Sequence, residues 1–425
     1  MLLTLATFAA AYARTALSPI QETMRTALAL SDNQMALLQG PALALPMMLA
    51  AIPLGLLVDR YSRARLLLAF ASLSAAGSVL TGVAPSFTLL FVARCLVGLA
   101  ASATLTTGAS LLADLYAPAQ RGRAAIVVAI GQIAGTSAAF ALGGVLLAMS
   151  GAVPRAWQPA MLWLSSPLVL VILLLLALRE PARTGRTTED VSVRTSLVGL
   201  WRHRAVIVPL LAGVIMVAIA DCASLIWAAP ALSRNFSLPP EQIGAIMATA
   251  LLVSGVAGAI LGGFLADHCQ RTGGPRRTIS ALSGLALLSV PASFFATTLH
   301  VESASVMLVA FMTIGSIIGV SATTVATIVL PNELRGLCLS VMFAAGAIFG
   351  LGLAPITVSV LSGELGGPAM IGRSLSLVCA VTSILGTAAF AVGRRYLPSL
   401  PAASRRGSLQ APHSGTAVPS QPPGD

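Results

Sequence analysis

Of 425 residues, 56% are hydrophobic and 9% charged, and 25 basic against 14 acidic residues leave a net charge of +11. Soluble domains carry about 25% charged residues, so the composition excludes soluble, secreted, disordered and collagen-like classes. Twelve helical spans of about 20 residues would use about 240 residues, which fits an all-α polytopic membrane protein.

Taken in chain order, apolar stretches bounded by charges and by Gly or Pro predict spans at about 1–20, 35–57, 66–83, 88–111, 124–149 and 159–178. Six more follow at about 205–228, 242–266, 278–298, 304–330, 337–362 and 372–393. The first stretch also reads as a signal peptide, with Ala11-Tyr12-Ala13 as a small-residue cleavage site, but it has no basic n-region. It is therefore assigned to span 1. The layout is a six-helix half over 1–178, a middle loop over 179–204, a second half over 205–393 and a tail over 394–425. The tail carries six Pro with Ser and Gly and reads as disordered.

Every basic residue other than His is Arg. With the N-terminus inside, 19 Arg fall on the cytoplasmic side and four, Arg25, Arg155, Arg234 and Arg373, on the outside. That asymmetry places both termini in the cytoplasm. It also excludes nucleic acid as the partner, because the basic residues are spread over six segments as a topology signal. Only Arg14 and Arg94 lie within spans. Cys95, Cys222, Cys269, Cys338 and Cys379 show no metal-ligand spacing, four of them fall inside apolar stretches, and they read as small core residues, not as a disulfide framework or a zinc site.

The chain repeats itself. Leu30-Ser-Asp-Asn-Gln34 matches Leu238-Pro-Pro-Glu-Gln242, and Gly55-Leu-Leu-Val-Asp59 matches Gly263-Phe-Leu-Ala-Asp267, both at an offset of 208 residues. Pro118-Ala-Gln-Arg121-Gly122 is echoed by Pro331-Asn-Glu-Leu-Arg335-Gly336. Two like-oriented halves related by an axis along the membrane normal place a binding site at the midplane between them.

Gly55-Leu-Leu-Val-Asp59-Arg60-Tyr-Ser-Arg63 resembles the signature loop of the major facilitator superfamily, with Ser62 in place of a Gly and Ala64 in place of a base. Gly55 would allow close helix approach, Asp59 would face a helix N-terminus, and Arg63 would pair with Asp114 at the end of span 4. The resemblance implies a conformational latch built from Gly55, Asp59, Arg60, Arg63, Asp114, Arg121, Arg123 and Asp267. Tyr12-Ala-Arg14, Leu30-Ser-Asp32-Asn-Gln34, Arg94-Cys-Leu-Val-Gly98, Ala113-Asp114-Leu-Tyr and Leu178-Arg179-Glu180-Pro181 resemble the spinster-type branch. That branch carries an Asp before the span 1 Arg and a Glu seven residues after the span 4 Arg. Here those positions are Ala13 and Ala101, while the symmetry mate of Ala13 is Asp221.

A charge near the bilayer centre costs about 2.5 to 3.5 kcal/mol on insertion scales, so each needs a partner or water. Arg14 and Asp221 are expected to face each other across a central cavity, Arg14 taking an anionic solute group and Asp221 a proton or cation. The alternative is a static salt bridge. Arg94 is either a site residue or a side chain that snorkels. Gln39, Gln132 and Trp227 are candidates to line the cavity, with Thr136, Ser137, Ser224, Thr323 and Thr324. Gly131 and Gly135, and Gly346, Gly350 and Gly352 before Pro355, read as close packing with a bend.

The sequence therefore reads as a secondary active transporter of a small organic solute, anionic or amphipathic, working by alternating access in a plasma membrane, with a bacterial inner membrane favoured. It is expected to act as a monomer on a proton or cation gradient, with no cofactor, metal or enzymatic activity. The alternatives are a transporter-like sensor without net flux and a multidrug efflux antiporter. The latter is weakened because span 5 has Gly131-x-x-x-Gly135-Thr136 and lacks the Gly-Pro of the drug-antiporter signature.

Overall fold

A computed structural model of the chain describes residues 1–116, 120–151, 155–178 and 199–397. Most of the expected middle loop and nearly all of the expected tail lie outside these residues. The described secondary structure is helical throughout, as hydrocarbon demands of a backbone that must satisfy its own N–H and C=O groups.

Ten segments are long and apolar enough to cross a membrane. One of them, Pro240–Thr297, has 58 residues. At 1.5 Å per residue it would reach about 87 Å, almost three hydrocarbon thicknesses. Gly274, at φ 68° and ψ −164°, folds it back into two spans, a conformation open to glycine because it has no Cβ. Leu2–Thr15 with Ser18–Ile20 supplies the twelfth.

Span 1 is followed by a helical extension, Gln21–Ala27, and span 2 is built from Asp32–Gln39 and Pro41–Arg60. Spans 3 to 6 are Arg63–Val83, Phe87–Leu115, Arg121–Met149 and Trp157–Leu175. Span 7 is Arg204–Phe236, spans 8 and 9 share Pro240–Ala292, and span 10 is Val301–Val329. Span 11 runs from Asn332 to Glu364 through a π-helical segment, Gly346–Leu353, and span 12 is Ile371–Arg395. Both ends of the described chain therefore share one side, called here the near face; the opposite side is the far face.

Two boundaries differ from expectation in a way that matters. Span 1 was expected to stop near residue 20 and span 7 near 228, but helix continues to Ala27 and Phe236. Each added segment carries charge, so a criterion that ends spans at charges stops too early. Their charges are paired with one another, as shown below.

The glycines of span 5 pack as their spacing predicts. A Cβ at Gly131 would lie 2.6 Å from the Thr4 carbonyl, and one at Gly135 would meet the Phe8 carbonyl. Spans 5 and 1 are thus in backbone contact within the first half. In the second half, a Cβ at Gly350 would lie 2.9 Å from the Ala218 carbonyl, so the π-helical segment of span 11 presses on span 7.

Candidate functional site

The two halves meet through spans 1 and 2 against 7 and 11, and span 5 against span 8. On the far face the contact is closed. Arg234, at the end of span 7, forms a two-pronged pair with Asp32 at 2.7 and 2.8 Å and also reaches Glu22 at 2.7 Å. Glu22 in turn accepts from Arg25 at 2.7 Å, and Arg234 donates to the Pro368 carbonyl at 3.0 Å. Two acids of the first half are thereby held by one base of the second. Burial raises the Glu22 carboxyl, but the hydrogen bonds from Arg234 and Arg25 outweigh it and hold the group below its ordinary value.

Backbones touch beside this cluster. A Cβ at Gly244 of span 8 would lie 2.6 Å from the Phe140 carbonyl and 3.0 Å from Gly144 of span 5. A Cβ at Gly40 of span 2 would lie 2.7 Å from the Leu351 carbonyl of span 11. Side chains at these positions would prevent the seal.

Beneath the charged cluster runs a buried polar chain. Arg94 is fully buried, so it does not snorkel as one reading of its position allowed. Its Nη2 donates to the Arg14 carbonyl at 2.7 Å and to Gln39 Oε1 at 3.2 Å. Gln39 Nε2 donates to Ser18 Oγ at 3.1 Å and Gln21 Oε1 at 2.8 Å. Gln21 Nε2 then crosses to the second half and donates to the Ile226 carbonyl at 2.6 Å. Arg94 and Gln39, candidates for solute contact, both hydrogen-bond within this network, while Arg94 Nη1 is buried with no partner among the described residues. Trp227 is hydrogen-bonded as well: it is buried, and its indole N–H donates to the Pro355 carbonyl at 3.0 Å.

The near face is different. Ala44 contacts Gly352 of span 11 across the interface, with 3.5 Å from its Cβ to a Cβ built there. Gly55 lies eleven residues further, three turns along about the same helix face, yet a Cβ at Gly55 would meet nothing within 4 Å, and the same is true of its repeat mate Gly263. The close approach expected at Gly55 is therefore not made among the described residues.

Arg63 does pair with Asp114, as its spacing predicted, and also donates to Ser110 Oγ at 3.0 Å. This pair ties span 3 to span 4 within the first half, so it does not itself bridge the halves. Arg60 and Asp267 are exposed. The side chains of Asp59, Arg121 and Arg123 lie outside the described residues.

Between the two faces lie two small cavities, one in each half. Arg14, half-buried, lines the first with Thr7, Ala10, Ala11, Ala101, Leu105 and Gln132. Among the described residues its guanidinium has no acidic partner within 4 Å. Ala101, one of the two positions where a spinster-type acid would stand, is part of this wall. Asp221 lines the second with Met216, Ala220, Ser289, Gly315 and Ser383, among others. It too has no hydrogen bond or ion pair among the described residues. Its carboxylate lies against Gly315 of span 10, where a built Cβ would come within 2.9 Å of Oδ2.

The direct Arg14–Asp221 pair expected from the sequence is therefore not formed. The repeat explains why. At an offset of 208 residues the mate of Arg14 is Cys222. Asp221 is one residue earlier, turned about 100° around the helix, which directs it into its own half. Its mate Ala13 is fully buried in the first half.

The charged far-face cluster, Glu22, Asp32 and Arg234, was missed by sequence reasoning, which counted Arg25 and Arg234 only as topology markers. The available signal was opposite charge at the far-face ends of spans 1, 2 and 7, on a face with few charges.

Comparison with known proteins agrees with this architecture. A relative in Cupriavidus pinatubonensis, described as a probable 4-methylmuconolactone transporter, is 26% identical over 324 residues, covering 73% of this chain and 71% of the relative. A bacterial homologue of the human lysosomal transporter spinster, solved in an inward-facing and unoccupied conformation, superposes with TM-score 0.77 at 21% identity, covering 96% of each chain. A D-xylose–proton symporter superposes with TM-score 0.69 at 16% identity, covering 91% of this chain and 95% of its own. The family profile described as the Major Facilitator Superfamily matches residues 3–336, and this all-helical chain belongs to that superfamily of membrane transporters.

Proposed function

We propose that the protein moves a small organic anion across a bacterial inner membrane by alternating access, with both termini cytoplasmic, and that this structure is its inward-facing state. The observation that carries the reading is the Arg14 guanidinium, half-buried at the centre with no acidic partner among the described residues. A cation at that depth is costly unless solvated or paired, and an arginine matches a carboxylate in a two-pronged geometry. Gln132, on the same wall, supplies an amide for orientation. The muconolactone named for the relative is the first solute to try.

Asp221 takes the coupling proton in this reading. It has no bond to break among the described residues when it changes protonation, and it lies on the half that must rock against Arg14. Purified protein in liposomes tests both roles. Arg14→Ala is expected to lower uptake and counterflow of the solute at least about 100-fold, the loss of a charge-assisted pair worth about 3 kcal/mol. Asp221→Asn is expected to keep counterflow but lose the drive from a pH gradient. Full activity with unchanged proton dependence in both variants would falsify the assignment, and absent counterflow in the parent protein would favour a sensor.

A further inference from the structure

The amide chain beneath the far-face cluster has a direction. Arginine has donors only, so Arg94 Nη2 requires an oxygen and fixes Gln39 with Oε1 toward it. That leaves Gln39 Nε2 to donate to Gln21 Oε1, and so leaves Gln21 Nε2 aimed at the second half. Reversing either amide would set donor against donor in a buried place, where an unmade hydrogen bond costs about 1–3 kcal/mol.

The acceptor is equally determined. In a helix the Ile226 carbonyl would be taken by the N–H of residue 230, but residue 230 is proline, inside span 7. Proline has no N–H, so the Ile226 carbonyl is free to accept across the interface. Arg94 Nη2 also donates to the Arg14 carbonyl, which joins the chain to the backbone that carries the solute-site cation.

We propose that Gln21 is a positioning residue whose single bond to the Pro230-freed carbonyl of Ile226 makes closure of the far face answer to the arrangement of the Arg14 segment. When Arg14 is pulled by an anion, Arg94 and the two amides follow, and the bond to Ile226 loosens. The proposal rests on the alternating-access reading. Its test reports the seal itself, so that reading and this one fail separately.

The test is a distance measurement between spin labels on the full chain in liposomes, with the five native cysteines replaced. Thr26→Cys and Leu299→Cys, both exposed on the far face, carry the labels. The parent is expected to give one short-distance population. Gln21→Asn, which keeps an amide but lacks reach, and Pro230→Ala, which returns an N–H to Ile226, are each expected to shift the open-to-closed ratio about tenfold toward open. The double variant should shift no further than either single, because both remove the same bond. Arg94→Lys, still a donor, should hold the parent distribution, and Arg94→Gln should not. Unchanged distances in Gln21→Asn and Pro230→Ala, or additive shifts in the double variant, overturn the proposal.

Discussion

The two faces of the inter-half boundary are built from the same repeated sequence and behave oppositely. On the far face, Gly40, Gly144 and Gly244 bring backbones together, and Arg234 joins Glu22 and Asp32 above them. On the near face, the repeat-related Gly55 and Gly263 have open space, and the pair of Arg63 with Asp114 joins two spans of one half. In the reading proposed above, Gly55 and Gly263 are the places where backbones would meet once the near face closes. The described charge pairs differ in the same way: Arg234 joins the halves on the far face, while Arg63 and Asp114 tie span 3 to span 4.

Removing the bridging base should upset this contrast most. Arg234→Gln leaves Glu22 and Asp32 as neighbouring carboxylates, and truncating one partner of a buried charge cluster costs about 2–5 kcal/mol. A cysteine at Ala231, fully buried just below the cluster, should then react with an impermeant thiol reagent from the far face tens of times faster. Unchanged reactivity would mean that the cluster does not hold the seal. Gly244→Val acts on the same face by overpacking against Phe140, at about 1–3 kcal/mol, and should raise the same reactivity by a smaller factor.

Gly55→Ala probes the other face. Because nothing stands within 4 Å of the added methyl, thermal stability should change by less than about 0.5 kcal/mol. Solute turnover should still fall several-fold, since the near face must close to complete a cycle. Equal turnover would show that Gly55 is never occupied. The smallest effect concerns pH. Glu22 is held below its ordinary carboxyl value when folded, so its contribution to the seal is full above the unfolded value of about 4.3 and is lost as pH falls through the lower folded value. Far-face reactivity of the Ala231 cysteine, corrected for reagent chemistry, should therefore stay flat from pH 8 to about 5.

Apolar length made the twelve spans legible in the sequence, because hydrocarbon thickness dictates it, and internal matching revealed the two halves. Arg63–Asp114 was legible because both residues sit at span ends with the right spacing. The Arg14–Asp221 pairing failed for a geometrical reason: a repeat offset locates a residue in depth, while one position of difference turns its side chain about 100° away. Arg94, Gln39 and Gln21 could not be joined from sequence, since their partners are 18 to 205 residues distant. Arg234 was hidden by an apolar criterion that ended its helix eight residues early.

The π-helical segment of span 11, Gly346–Leu353, has a consequence for how the near face could close. A π-turn holds one residue more than an α-turn, and such turns are locally less favourable. Relaxing that segment to α-helix would move the surplus residue along the span, turning one end about 100° and shifting it about 1.5 Å relative to the other. The far end of span 11, anchored by Pro355 to Trp227 and by Leu351 against Gly40, could stay in place while the near end presented different side chains. Span 11 is in this sense two helices on one axis, joined by a rotary coupling.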